Sequence, residues 1–117
     1  RGLGDVYKRQ AKIYRNCAIS IAKGADGDVR LASAQAADEL LTLENVKASF
    51  VIYESGGKIC ISARSFGAVN VQIIMEKLGG GGHQTMSATQ LSDINKEQAL
   101  KMLIEVIDTN LEDASCK

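Results

Sequence analysis

The chain has 117 residues, with 14 Lys and Arg against 14 Asp and Glu and a formal net charge of zero, a size suited to one domain with one modest core. Neutrality, together with 4% aromatic residues and no Trp, argues against a surface that wraps a long polyanion or stacks single-stranded bases. It leaves room for a local pocket that holds one or two phosphates.

Residues 1–10 (RGLGDVYKRQ) show no clear period and are read as a non-native segment or a linker. The domain is expected to occupy residues 11–117. No Met precedes Met75, so the chain is expected to begin within a longer protein. From Cys17 onward the apolar positions of the segment Lys12 to Ala22 alternate, which predicts a strand. Lys23 to Asp28, with Gly24 and Gly27, reads as a turn. Val29 to Leu41 is rich in helix formers, with Leu31, Ala34, Ala37, Leu40 and Leu41 near one face. Ala48 to Tyr53 is a strand, Glu54 to Gly57 a hairpin turn, and Lys58 to Ala63 the returning strand. On that strand Ile59, Ile61 and Ala63 face one way and Cys60, Ser62 and Arg64 the other. Asn70 is a candidate N-cap for a helix with the stripe Val71, Ile74, Met75 and Leu78, closed by Gly79. Thr85 to Leu91 predicts a short strand. Asn95 to Leu111 predicts a helix with the stripe Ala99, Leu100, Leu103, Ile104, Ile107 and Leu111, capped by Ser92 or Asn95. The order implies an α/β domain, a mixed β-sheet flanked by helices.

Cys17, Cys60 and Cys116 lack metal-ligand spacing. Cys17 and Cys60 fall in strand-like runs and read as packed thiols. An odd count without a signal peptide favours a reducing compartment, and no run reaches transmembrane length.

The run Gly79-Gly80-Gly81-Gly82-His83 needs explanation, because ordering four glycines is entropically costly. Such a run can expose successive N–H groups as an anion nest, with His83 as a side-chain donor at its edge; a flexible loop is the plainer alternative. It is neither a Walker loop nor a dinucleotide fingerprint, since it follows a helix and no Lys-Ser or Lys-Thr comes after it. Arg64, flanked by Ser62 and Ser65, offers a planar fork suited to phosphate, or else is a surface Arg at a strand end. Arg64 and His83 in one cleft would form an anion clamp. The chain has one His, which makes a dinuclear His and carboxylate centre implausible within it. The acidic residues, Asp38 and Glu39 among them, read as solvated, and no Ser has a His–Asp partner arrangement. His83 is left an assisting acid or base role at most.

The stretches AQAADELL, VKASFVIY and ISARSFGAVNVQIIMEKLGGGGH, followed by QTMSATQ, resemble the DHH-associated domain (subtype 1) of the DHH phosphoesterase family. The resemblance spans roughly residues 12–112. It is closest to the branch of membrane-anchored, mainly Gram-positive cyclic-di-AMP phosphodiesterases. It implies that an upstream DHH lobe carries the ligands of two manganese ions and that this lobe, with no metal ligands or bound cofactor of its own, holds the cyclic dinucleotide. The implied substrate-binding residues are Ser62, Arg64, Ser65, Gly80, Gly81, Gly82, His83, Thr85 and Ser87. Cyclic-di-AMP would be hydrolysed to the linear dinucleotide by the parent protein, and this domain alone is expected to be inactive. A cytoplasmic domain of a membrane-anchored parent follows, without membrane contact of its own; a homodimer is compatible with the resemblance. Met86 departs from the branch, which typically has Asn there. Three other readings stay open: an oligonucleotide- or nucleic-acid-binding lobe of another DHH-type exonuclease or phosphoesterase, a non-catalytic tRNA-binding module like those accompanying alanyl-tRNA synthetases, and a structural domain whose glycine loop binds nothing.

Overall fold

Alternating apolar residues build the sheet, and two of its turns rest on left-handed residues. The computed structural model describes residues 11–23 and 29–115. The readings placed on residues 1–10, on the turn residues 24–28 and on Cys116 lie outside them. Strands β1 (Lys12–Tyr14) and β2 (Cys17–Ile21) form an antiparallel hairpin with Tyr14 opposite Cys17. Its two-residue turn places Arg15 at φ 52 and Asn16 at φ 68. Both are left-handed, as a turn matching strand twist requires. Arg is an uncommon occupant of that region and no glycine marks the turn, so the sequence shows only β2.

Helix α1 (Val29–Leu40) crosses to β3 (Ala48–Ser55), which runs parallel to β2 with Ile19 opposite Phe50. Strand β4 (Lys58–Ser65) returns antiparallel. Gly56 (φ 60) and Gly57 (φ 77) make the turn alone, so both strands extend further than their apolar runs suggest. Helix α2 (Val71–Lys77), strand β5 (Gly81–Gly82), strand β6 (Met86–Leu91) and helix α3 (Lys96–Ser115) complete the chain. The sheet order is β1-β2-β3-β4-β6-β5, and only β2 and β3 pair in parallel among the described strands. The result is one α/β domain with a mixed sheet flanked by helices.

The two sheet faces divide as the period of two requires. Phe50, Ile52, Ile59, Ile61 and Ala63 pack on one side against Val71, Ile74 and Met75 of α2 and Ala99, Leu103 and Ile107 of α3. On the other, Ala18, Val51, Tyr53 and Cys60 lie under Val29, Ala36, Ala37 and Leu40 of α1. The α1 stripe differs from the expected one. Leu31 is 58% exposed, and Ser33 and Ala36 are buried instead. At about 100° per residue, Leu31 points away from Val29, while positions 29, 33, 36, 37 and 40 share a face. Small residues there let α1 approach the sheet closely enough for Ser49 Oγ to donate to the Ala37 carbonyl at 2.5 Å.

Both later helices are capped by their own sequence. Asn70 Oδ1 accepts from the N–H groups of Gln72 (3.0 Å) and Ile73 (3.3 Å). Asn95 Oδ1 accepts from Gln98 N, and Gln98 Oε1 accepts from Asn95 N, both at 2.8 Å. That reciprocal box makes Asn95 the cap in place of Ser92.

Candidate functional site

Helix α1 packs on β3 and on β4, and beyond β4 the same face is left open, with Met86, Ala88 and Gln90 of β6 exposed on it. Register arranges the side chains of that bare half in rows. Arg64 lies opposite Met86, Ser62 opposite Ala88, and Cys60 opposite Gln90, while Gly81 of β5 lies opposite Ala88. Paired residues of antiparallel strands point to the same face, so Arg64, Ser62, Met86 and Gln90 all rise from it.

The glycine run closes the far edge. Gly79 takes φ 87 just past the end of α2. The N–H groups of Gly79 and Gly80 donate to the carbonyls of Glu76 (3.0 Å) and Met75 (2.8 Å). They finish the helix, so the run is not an open nest of successive free donors. Its glycines serve close approach instead. A Cβ on Gly80 would run into the Ala88 carbonyl and lie 2.5 Å from Thr89 Cβ. On Gly82, at φ 144, it would lie 2.6 Å from the Met86 carbonyl oxygen. On Gly81 it would meet nothing within 4 Å. Two hydroxyls fasten α2 to β6 at both ends: Ser87 Oγ donates to the Val71 carbonyl at 2.9 Å and Thr89 Oγ1 to the Leu78 carbonyl at 2.8 Å.

Beyond β5, a tight turn joins His83 N to the Met86 carbonyl at 2.6 Å. The end of β4 holds this turn. Ser65 N donates to the Thr85 carbonyl (3.0 Å), Ser65 Oγ donates to the Gln84 carbonyl (3.3 Å), and Gln84 Nε2 donates to the Gly67 carbonyl (3.3 Å).

These elements enclose a cleft of roughly 620 Å³. Of the residues singled out from the sequence, Ser62, Arg64, Gly80, Gly81, Gly82 and Ser87 line it. Ser65, His83 and Thr85 do not. Ser65 is buried in the turn it holds, and His83 and Thr85 are exposed at that turn. Arg64 and the glycines thus meet in one cleft, with His83 beyond its lining.

Arg64 is only 12% exposed in its side chain; its Nε donates to Asp38 Oδ1 at 3.1 Å and its Nη1 to the Ala63 carbonyl at 2.9 Å. Asp38 is 65% exposed. It looks solvated by sequence, yet it orients the guanidinium from α1. Nη2 keeps no protein partner among the described residues, so the outer part of the fork is available. Arg30, Tyr53 and Gln90 also line the cleft. Arg30 sits on the exposed side of α1, where only spatial proximity reveals it. Burial pushes the Tyr53 phenol up against the opposing effect of the Ser62 hydroxyl, and burial likewise pushes the Cys60 thiol up. Both stay neutral near pH 7, so the fixed charge of the lining comes from Arg30 and Arg64.

These residues do not fit a metal centre. Among the described residues no group of three His, Cys, Asp or Glu is placed to hold an ion. Among them, too, no helix is long and apolar enough to cross a membrane.

The fold and cleft define an α/β domain with a guanidinium-bearing, glycine-edged pocket and no metal-binding cluster among the described residues. The DHHA1 domain family matches residues 12–109, and the chain belongs to that family, whose members accompany DHH-type phosphoesterases. It is 50% identical over 109 residues to the cyclic-di-AMP phosphodiesterase GdpP of Geobacillus thermodenitrificans, covering 86% of this chain and 17% of that protein. It is 57% identical over 77 residues to the cyclic-di-AMP phosphodiesterase PdeA of Listeria monocytogenes, covering 65% of this chain and 12% of that one. The chain therefore spans less than a fifth of these relatives' length. An exopolyphosphatase-related protein from Bacteroides fragilis shares the fold, with a TM-score of 0.76 at 22% identity, over 92% of this chain and 33% of that one.

Proposed function

We propose that this domain is the substrate-binding lobe of a metal-dependent cyclic-di-AMP phosphodiesterase. It holds a phosphate of the dinucleotide and leaves hydrolysis to a separate DHH lobe. The observation that carries the reading is the meeting of Arg64 and the glycine run in one cleft. Arg64 is oriented by Asp38 before any ligand arrives, which lowers the ordering cost of binding. Its Nη2, without a partner among the described residues, supplies a donor to an anion. Gly81 keeps the opposite wall open, so phosphate or ribose can approach the backbone of β5. The identity to two cyclic-di-AMP phosphodiesterases supports the choice of ligand.

The other residues act around this centre. Ser87 and Ser65 hold the glycine edge and the turn in place. His83, at the exposed tip, is available to a ligand clamped between this domain and the second lobe, which closes over the bare half of the sheet.

Calorimetric titration of the chain with cyclic-di-AMP tests the reading. Saturable binding that weakens at least about tenfold in Arg64→Ala is expected, in line with the loss of a charge-assisted contact of about 1.5–3 kcal/mol. Unchanged affinity in Arg64→Ala would remove the cleft from the account.

A further inference from the structure

The cleft extends well past the phosphate donors. Gln90 stands two rows from Arg64 on the same face, opposite Cys60, while Arg64 lies opposite Met86. Four residues along a strand separate them by roughly 13 Å, too far for one phosphate to engage both. Between them lies the row of Ser62, Ala88 and Gly81, over which a Cβ at Gly81 would meet open space. At the Gln90 end the lining adds Tyr53 and, from the wall, Arg30. The Gln90 carboxamide is exposed and has no hydrogen-bond partner among the described residues, and the same holds for the Arg30 guanidinium.

We infer that this far end is a nucleobase subsite, in which the Gln90 carboxamide reads an adenine edge and Arg30 lies over the ring. The inference rests on the cleft being the dinucleotide site and adds what it recognises. A carboxamide presents one donor beside one acceptor. It pairs with the adenine N7 and 6-amino edge, whereas guanine offers two acceptors, N7 and O6, in the same positions. A guanidinium stacks on a base face independently of base identity, so Arg30 contributes affinity and Gln90 contributes choice. Tyr53, whose phenol carries no charge near pH 7, closes the inner end without adding a charge that a neutral base would have to desolvate. The phosphate is held by Arg64 and the ribose crosses Gly81.

The test is titration of the chain with cyclic-di-AMP and cyclic-di-GMP, for the unaltered protein, Gln90→Ala, Gln90→Glu, Arg30→Ala and Arg64→Ala, with folding checked by circular dichroism. The unaltered chain is expected to prefer the adenine ligand by about tenfold or more. Gln90→Ala should bring the two affinities within about threefold. Gln90→Glu, now acceptor only, should turn the preference toward guanine, whose Watson–Crick edge offers two donors. Arg30→Ala should weaken both ligands alike, and so should Arg64→Ala. Retention of full adenine preference in folded Gln90→Ala overturns the subsite while leaving the phosphate site standing. Failure of the unaltered chain to bind either ligand overturns both.

Discussion

Gly80 and Gly81 are adjacent and identical in sequence, yet the structure assigns them opposite tasks. A Cβ at Gly80 would run into the Ala88 carbonyl and lie 2.5 Å from Thr89 Cβ and 2.7 Å from Thr89 Cα. Two of those three atoms are backbone, so relief requires moving the end of α2 away from β6. That motion strains the bond from Gly80 N to the Met75 carbonyl (2.8 Å) and the one from Thr89 Oγ1 to the Leu78 carbonyl (2.8 Å). Overpacking of this kind costs about 1–3 kcal/mol, and a lost buried hydrogen bond adds about 1 kcal/mol. Gly80→Ala should therefore lose about 2–4 kcal/mol, a large share of the stability of a domain this size. Gly81→Ala meets nothing within 4 Å and has no left-handed φ. It should leave stability unchanged or raise it by up to about 1 kcal/mol through the unfolded chain, while placing a methyl group in the cleft. Urea denaturation of both variants, followed by circular dichroism, compares them directly. Equal destabilisation by the two substitutions would refute the division of labour, as would a Gly80→Ala protein as stable as its parent.

Leu103 is fully buried between α3 and the sheet, so Leu103→Ala should lose about 2–5 kcal/mol in the same assay; a loss below about 1 kcal/mol would mean that α3 does not cover this face. The carboxyl of Asp108 is held below its usual value first by the Tyr14 hydroxyl and then by Arg15. A depressed carboxylate contributes stability above its unfolded pKa of about 4 and loses it as pH falls through the folded value. The stability difference between the protein and Asp108→Asn should accordingly shrink as acid titrates the folded group, and a constant difference from about pH 6 to about pH 2 would contradict the contact. Burial pushes the Cys17 thiol up to about 11, so Cys17 should resist alkylation near pH 8 in the folded chain and react on unfolding, as site-resolved mass spectrometry would show; rapid native labelling at Cys17 would place it elsewhere.

Much of the fold is legible in the sequence, because its elements announce themselves by period and by cap. The alternation in β4, the stripe of α2 and the Asn70 cap each reappear at the expected residues. What escaped depends on tertiary contact. The β1–β2 turn uses Arg15 and Asn16 at positive φ without a glycine. The buried face of α1 is chosen by how closely small residues can approach β3, which leaves Leu31 outside. The glycine run looked like a nest, but the helix before it consumes the N–H groups of Gly79 and Gly80. Of the cleft, Arg64 and the glycines could be named from their own chemistry. Asp38, Arg30 and Gln90 could not, because an acid, a base and an amide on surface positions become a site only once α1 and β6 are set against β4.

The central claim is that the ligand occupies the bare half of the sheet between α1 and the glycine edge. Backbone amide chemical shifts followed by NMR during titration with cyclic-di-AMP test it most directly. The account predicts that the largest changes fall on Ser62, Arg64, Gly81, Ala88 and Gln90, with the α2 and α3 faces little affected. Changes centred on α3, or none at saturating ligand with the domain folded, would contradict it.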